Sequence, residues 1–255
     1  MLPQRGIGAY FRVASNRTFM RFTTPLLAAI VVAACATSNG SMTEAQTNTL
    51  TRAQQAEGWK LLFDGKTTNG WRNYRKETVG QGWSVVDGVL TRSGDNAGDI
   101  ITDEQYRNFD FVVDWRVAPG GNSGIFYRAT QEGDYIWQSA PEMQILDDER
   151  HADGKLPVTS AGSVFALYEA PRGVVKPAGE WNTARVLVNG NHVEHWLNGT
   201  KLFEYGLGSD EWKARVEASK FKSMPLFGKA AQGYIGLQDH GDKVEFRNIR
   251  IRVLP

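Results

Sequence analysis

Between Phe109 and Val117 every second residue is large and apolar: Phe109, Phe111, Val113, Trp115 and Val117 alternate with Asp110, Val112, Asp114 and Arg116. Period-two patterning of this kind predicts a β-strand with one face in a core and the other turned outward. Shorter runs follow at Arg185 to Val188, His192 to Leu197 and Lys201 to Tyr205, separated by Asn189-Gly190 and Asn198-Gly199. Asn-Gly tolerates positive φ at both corner residues, so these runs predict a three-stranded meander with the two dipeptides as its turns. Asp64-Gly65, Asn69-Gly70 and Asp87-Gly88 add further corners. Asp210 to Phe221 alone carries helical spacing, with Trp212, Val216 and Phe221 as its buried positions. Near the C-terminus Val244 and Phe246 fall on one phase while Ile249, Ile251 and Val253 fall on the other, which requires a bulge near Arg247-Asn248. The fold predicted is all-β, a two-sheet jelly-roll sandwich with one short helix.

The same alternation asks which polar side chains share a face. In Glu142-Met143-Gln144-Ile145-Leu146-Asp147, Glu142 and Gln144 lie together, and Asp147 joins them only through a bulge. In Tyr234 to Gly241, Ile235 and Leu237 belong to the core, while Tyr234, Gly236, Gln238 and His240 face the other way. Gly236 there would leave room for a ligand to approach the backbone. In the meander, His192, Glu194 and Trp196 share one face and His195 the other, which reads as a core histidine and a secondary site candidate. The turn Pro119 to Gly124 brings Asn122 and Ser123 to a rim, and Trp137, beside Tyr135, is the tryptophan predicted to meet a ligand. Trp59, Trp83 and Trp115 are assigned to the core. Arg128 and His151 complete the candidate substrate-binding set with Asn122, Trp137, His195 and Gln238; Glu142, Gln144, Asp147 and His240 form the candidate catalytic set.

The first residues change the charge picture. Arg5, Arg12, Arg17 and Arg21 precede the apolar run Pro25 to Ala34, and no acidic residue occurs before Glu44. This reads as an export signal rather than a spanning helix, ending at Cys35, the one cysteine of the chain. Cys35 resembles the lipidated cysteine of a bacterial lipobox, which implies an exported protein held at a bilayer by a lipid anchor. Residues 36–56, rich in Thr, Ser, Asn, Gln and Ala, read as a flexible tether, and 57–255 as one domain. Without the leader, 25 basic residues face 28 acidic ones, a net of −3, and no basic run is interleaved with aromatics. Nucleic acid is not an indicated partner.

Several motifs occur in a fixed order: Gly58-Trp59-Lys60-Leu61-Leu62-Phe63-Asp64-Gly65 with Gly70-Trp71, then Gly121-Asn122-Ser123-Gly124-Ile125, then Pro141 to Asp147. Gly179-Glu180-Trp181-Asn182, His195-Trp196-Leu197-Asn198-Gly199 and Leu237-Gln238-Asp239-His240-Gly241 with Phe246-Arg247-Asn248-Ile249 follow. From Gly58 to Leu254 the chain resembles the 3-keto-disaccharide hydrolase family. The resemblance implies a concanavalin-like jelly roll acting on glycosides whose C3 hydroxyl has been oxidised to a ketone; the chain is expected to be a monomer.

A C3 ketone acidifies the hydrogen on C2, so such a site needs a base, donors for an enolate oxygen and an acid for the leaving group. His240 and Glu142 are the base and acid in either order, Gln144 and Gln238 the donors, and Asp147 orients His240 or binds a hydroxyl. A divalent cation held by Glu142, Asp147 and His240 could replace the amides. Glu142-x-Gln144-x-x-Asp147 is also similar to the Glu-x-Asp-x-x-Glu strand of retaining endo-β-glucanases, with an amide where that pattern has a carboxylate. A sugar-binding module without catalysis is the third reading, since jelly rolls host lectins too.

Overall fold

The computed structural model describes residues 47–255, and in these residues antiparallel strands form two sheets. The larger runs, in spatial order, β11 (Thr200–Gly206), β10 (His192–Leu197), β9 (Asn182–Asn189), β6 (Phe109–Val117), β13 (Val244–Val253), β4 (Val89–Arg92) and β3 (Trp83–Val86), with β1 (Trp59–Leu61) also paired to β13. The smaller runs β2 (Trp71–Asn73), β5 (Ile100–Thr102), β12 (Tyr234–Leu237), β7 (Asn122–Ala129) and β8 (Glu142–Leu146). Phe109, Phe111, Val113, Trp115, Phe246 and Ile251 from the first sheet meet Ile125, Tyr127, Met143, Ile145, Ile235 and Leu237 from the second in one buried core. This is the jelly-roll sandwich that the alternation requires.

The strand β6 departs from a half-exposed pattern. Asp110 and Asp114 are buried too, because arginines from neighbouring strands cover them. Arg185 donates to Asp110 through Nε at 2.6 Å and Nη2 at 3.0 Å, Arg252 reaches the same carboxylate at 3.1 Å, and Asp114 accepts from Thr183 and Asn248 at 2.7 Å each. The guanidinium groups then lie over tryptophans: Arg185 over Trp196, Arg252 over Trp59, Arg247 over Trp181. Trp59 therefore belongs to this outer layer rather than to the core, whereas Trp83 and Trp115 are core residues as expected.

Turn chemistry holds in one corner of the meander and shifts in the other. Leu197 pairs with Thr200, leaving Asn198 (φ 51°) and Gly199 (φ 80°) as the corner. Asn189, however, pairs with His192, so the other corner is Gly190-Asn191, with only Gly190 at positive φ. The helix is shorter than its pattern: α2 spans Asp210–Glu217, and the Ser219 hydroxyl accepts from Phe221 N to start a separate 3-10 turn, Lys220–Ser223. Trp212 and Phe221 are buried, while Val216 is half-buried.

The predicted bulge is present. Pairing of β13 with β6 shifts between Arg247 and Arg250, and Asn248 has φ 54°. Asn48 fills it: Asn48 N donates to Asn248 Oδ1 at 2.7 Å, Asn248 N donates to Asn48 Oδ1 at 2.8 Å, and Asn48 Nδ2 reaches Gly88 O. A five-residue helix, α1 (Arg52–Ala56), follows behind a Thr51 capping box. The expected tether thus stops short of 56, since Asn48 and α1 are part of the folded domain. Cys35, the leader and residues 36–46 lie outside the described residues.

Asn248 tolerates positive φ and supplies two buried hydrogen bonds, so its truncation should be severe. Asn248→Ala is expected to lower the free energy of unfolding by about 2–4 kcal/mol, and Asn248→Gly by less, because glycine keeps the backbone conformation. Urea denaturation of the two variants beside the parent measures the difference.

A candidate sugar cavity on the five-stranded sheet

On the face of the five-stranded sheet turned from the core, Ile101, Phe126, Ala129, Ile136 and Ala140 fill one part. Gly236 belongs there: a Cβ on it would lie 2.5 Å from Ile136 Cδ1, so its missing side chain makes room for packing and not for a ligand. The remainder of the face is a cavity of about 310 Å³, within the size range of small-molecule sites. Asn122, Trp137, Glu142, Gln144, Gln238 and His240 line it, all of them singled out by alternation or motif. Phe165, Phe221 and Met224 add an apolar wall, and Asp153 and Lys220 add charge.

Strand pairing creates the centre. β7 and β8 pair without a shift, Gly124 opposite Gln144 and Phe126 opposite Glu142. A Cβ at Gly124 would sit 2.1 Å from Glu142 Oε1, so the glycine is the space in which the carboxyl lies. Gln144, its amide nitrogen turned to satisfy both neighbours, donates to Glu142 Oε1 at 3.2 Å and to Ser123 O at 3.0 Å. Burial pushes the Glu142 carboxyl up to about 8, with Asp99 and Asp153 adding to the rise while Lys220 and a hydrogen bond from Gln238 oppose it. At neutral pH this side chain holds a proton. Asn122 Oδ1 and Gln238 Oε1 are buried without a partner, the condition of acceptors waiting for ligand hydroxyls.

His240 is exposed at the cavity, and its ring meets His151 edge-on, centroids 6.1 Å apart. Its loop is held by the ion pair of Arg92 with Asp239, by Arg92 donating to Gly241 O, and by Asp239 N donating to Asp99 Oδ1 at 2.8 Å. His151 does not line the cavity; its Nδ1 accepts from Asp153 N at 3.1 Å, so it backs His240 and orders the loop that carries Asp153.

Besides His151, three further expected residues are elsewhere. Without a bulge after Gln144, Asp147 falls on the opposite phase, where its carboxylate accepts from Gly120 N at 2.7 Å and Glu149 N at 3.1 Å. It orients a turn and not His240. The proposed cation ligands Glu142, Asp147 and His240 consequently do not converge. Among the described residues the group with three ligand atoms within 4.8 Å is His192, Glu194 and Glu204, and the Lys201 ammonium already bonds both carboxylates. His195 is a core residue: Nδ1 donates to Gly162 O at 2.9 Å, Nε2 accepts from Tyr127 Oη at 3.0 Å, and burial lowers its pKa to about 4. Arg128 lines a different cavity. Ser123 donates to Gln238 O and joins two strands of the sheet.

A family model described as the 3-keto-alpha-glucoside-1,2-lyase-like domain matches residues 58–252. The chain belongs to this family. A curated relative, 3-keto-disaccharide hydrolase of Bacteroides thetaiotaomicron, is 37% identical, the match covering 84% of each chain. Two solved structures from Parabacteroides distasonis, both described as proposed glycosyl hydrolases, are also similar. One is 38% identical with a TM-score of 0.77, covering 82% of this chain and 100% of its own; the other is 32% identical with a TM-score of 0.63, covering 77% and 99%.

Within this 3-keto-glucoside lyase-like domain the residues that sequence reasoning missed, Asp153, Phe165, Lys220 and Met224, lie outside the strands, where no period assigns a face. Phe221, expected as a buried helical position, is buried, but against the cavity. The strand offers a single carboxylate, Glu142, in place of the pair that retaining hydrolysis draws on.

The raised carboxyl has a consequence for stability. A folded-state pKa near 8 against an ordinary 4.5 means that the folded protein keeps a proton the unfolded chain releases. Stability should therefore fall as pH rises from 4.5 to 8 and then level. Glu142→Gln, which cannot ionise, is expected to remove this fall, gaining at least about 1 kcal/mol on the parent between pH 5 and pH 9 in urea unfolding.

Proposed function

We propose that this chain cleaves the glycosidic bond of 3-keto-glycosides by elimination and hydration. The observation that carries the reading is the Glu142 carboxyl, buried beside two amides in a cavity that His240 also lines. His240 takes the C2 proton, and the electron pair moves toward the C3 carbonyl to give an enolate. As the carbonyl re-forms, C1=C2 forms and the C1–O bond breaks, and Glu142 gives its proton to the departing oxygen. Water then adds: Glu142, now a carboxylate, takes a proton from the water that attacks C1, and protonated His240 returns its proton to C2. The products are 3-ketoglucose and the free alcohol.

The division of roles follows from environment. A carboxyl kept neutral by burial is an acid at working pH, which leaves His240, the other titratable group placed at the reacting carbon, as the acceptor of the C2 proton. Gln144, Gln238 and Asn122 provide hydrogen bonds for the sugar, and the Lys220 ammonium adds positive charge where the enolate oxygen develops. Phe165, Phe221 and Trp137 suit the apolar C–H face of a pyranose.

Cleavage of a 3-keto-glucoside should fall at least about 100-fold in kcat for both Glu142→Gln and His240→Ala. In deuterated water the released 3-ketoglucose should carry deuterium at C2. Near-normal rates in both variants would discard the assignment, and binding of a 3-keto-disaccharide without release of product would favour a lectin.

We also infer that Cys35 anchors the exported chain to a bilayer, a reading supported by the basic leader and its apolar run. Cys35→Ser is expected to move the protein from the membrane pellet to the soluble fraction and to abolish labelling by radioactive palmitate. Unchanged labelling would refute it.

A further inference from the structure

A second cavity, of about 530 Å³, adjoins the first across Phe221 and Met224. Arg128 is its most unusual lining residue. Pairing of β7 with β12 shifts so that Tyr127 and Arg128 together oppose Ile235, and Arg128 is held at φ 53°. Bulges with a strained side-chain-bearing residue re-aim that side chain, and such outliers mark functional positions. Tyr127 continues the core face, and Arg128 is turned to the end of the sandwich, where it is 4% exposed.

A buried guanidinium normally faces a carboxylate. Among the described residues none lies within ion-pair distance of Arg128. Nη2 donates to Arg107 O at 3.1 Å and to Gly190 O, while Nε is buried without a partner. Lys213, Lys222 and Lys229 also line the cavity; Lys213 is paired with Asp210 at 3.2 Å and Lys222 lies 3.8 Å from Glu217, the one acid of the lining, which leaves Lys229 beside Arg128 as positive charge with no ion pair among the described residues. Leu207, Trp212 and Phe227 supply apolar wall.

We infer that this cavity is a binding site for a small organic anion, a carboxylate or phosphate on a compact apolar body, with Arg128 as the group that receives the negative charge. Burial depresses the guanidinium pKa, and Arg107 acts in the same direction, so a bound anion relieves both. The unpartnered Nε–H is a directional donor for one anionic oxygen, and the apolar wall favours a ring behind it. This inference is independent of the reaction proposed for the neighbouring cavity.

Isothermal titration of the full-length chain with phenyl phosphate, benzoate and neutral benzyl alcohol tests it. One anion or both should bind with a Kd below about 1 mM, at least about tenfold tighter than benzyl alcohol, and the stronger of the two identifies the head group. Arg128→Gln should abolish the preference for the anion. Should that variant fail to fold, Lys229→Ala decides, with an expected loss of about threefold and an unchanged melting temperature. His240→Ala, in the other cavity, should bind as the parent does. Equal binding of the alcohol and the anions overturns the inference. So does undiminished anion binding in Arg128→Gln, or in Lys229→Ala where that variant decides, and so does loss of binding in His240→Ala.

Discussion

A carboxyl group can be buried on the surface of a sheet only where a neighbouring strand leaves it room, and Gly124 leaves that room for Glu142. The 2.1 Å separation that a Cβ would have from Oε1 makes the two positions mutually exclusive for anything but glycine beside glutamate. Were the gap filled, Glu142 would turn to solvent, its pKa would return toward the ordinary carboxyl range and Gln144 would lose its acceptor. The register of β7 against β8 is therefore the constraint on which the acid, the amide and the cavity floor all depend.

The two sheets divide the work. The larger one is closed on both faces, by the core within and by a layer of aspartates, arginines and tryptophans without, so its strands have little freedom to shift. The smaller one has a core face and a second face only partly filled by Ile136 and its neighbours. What is left unfilled is the cavity. The loop bearing Gln238 and His240 is fixed by Arg92, Asp239 and Asp99, so these groups are held in place before any ligand arrives.

Much of the site was legible because alternation assigns faces without reference to the rest of the molecule. Glu142 and Gln144, two apart, had to share a face, and so did Gln238 and His240. The same rule fails where the period breaks. Asp147 needed a bulge that β8 does not have, and Arg128 sits in a bulge of β7 that no pattern in the sequence announced. His195 was readable as core from its phase, and its hydrogen bonds to Gly162 and Tyr127 bear that out. Asp153 and Lys220 come from 3-10 turns, whose side chains follow no simple repeat.

By itself the sequence determined the strands, the bulge at Asn248, the existence of a sandwich and which polar residues could face one way together, because these follow from backbone geometry over a few residues. Only the tertiary structure decided which face was a cavity, that burial raises the Glu142 pKa, that Asn48 belongs to the domain and that Arg128 has no carboxylate within ion-pair distance among the described residues. Each of those depends on groups tens or hundreds of residues apart in the chain, and burial, electrostatic environment and empty space exist only once such groups have been brought together.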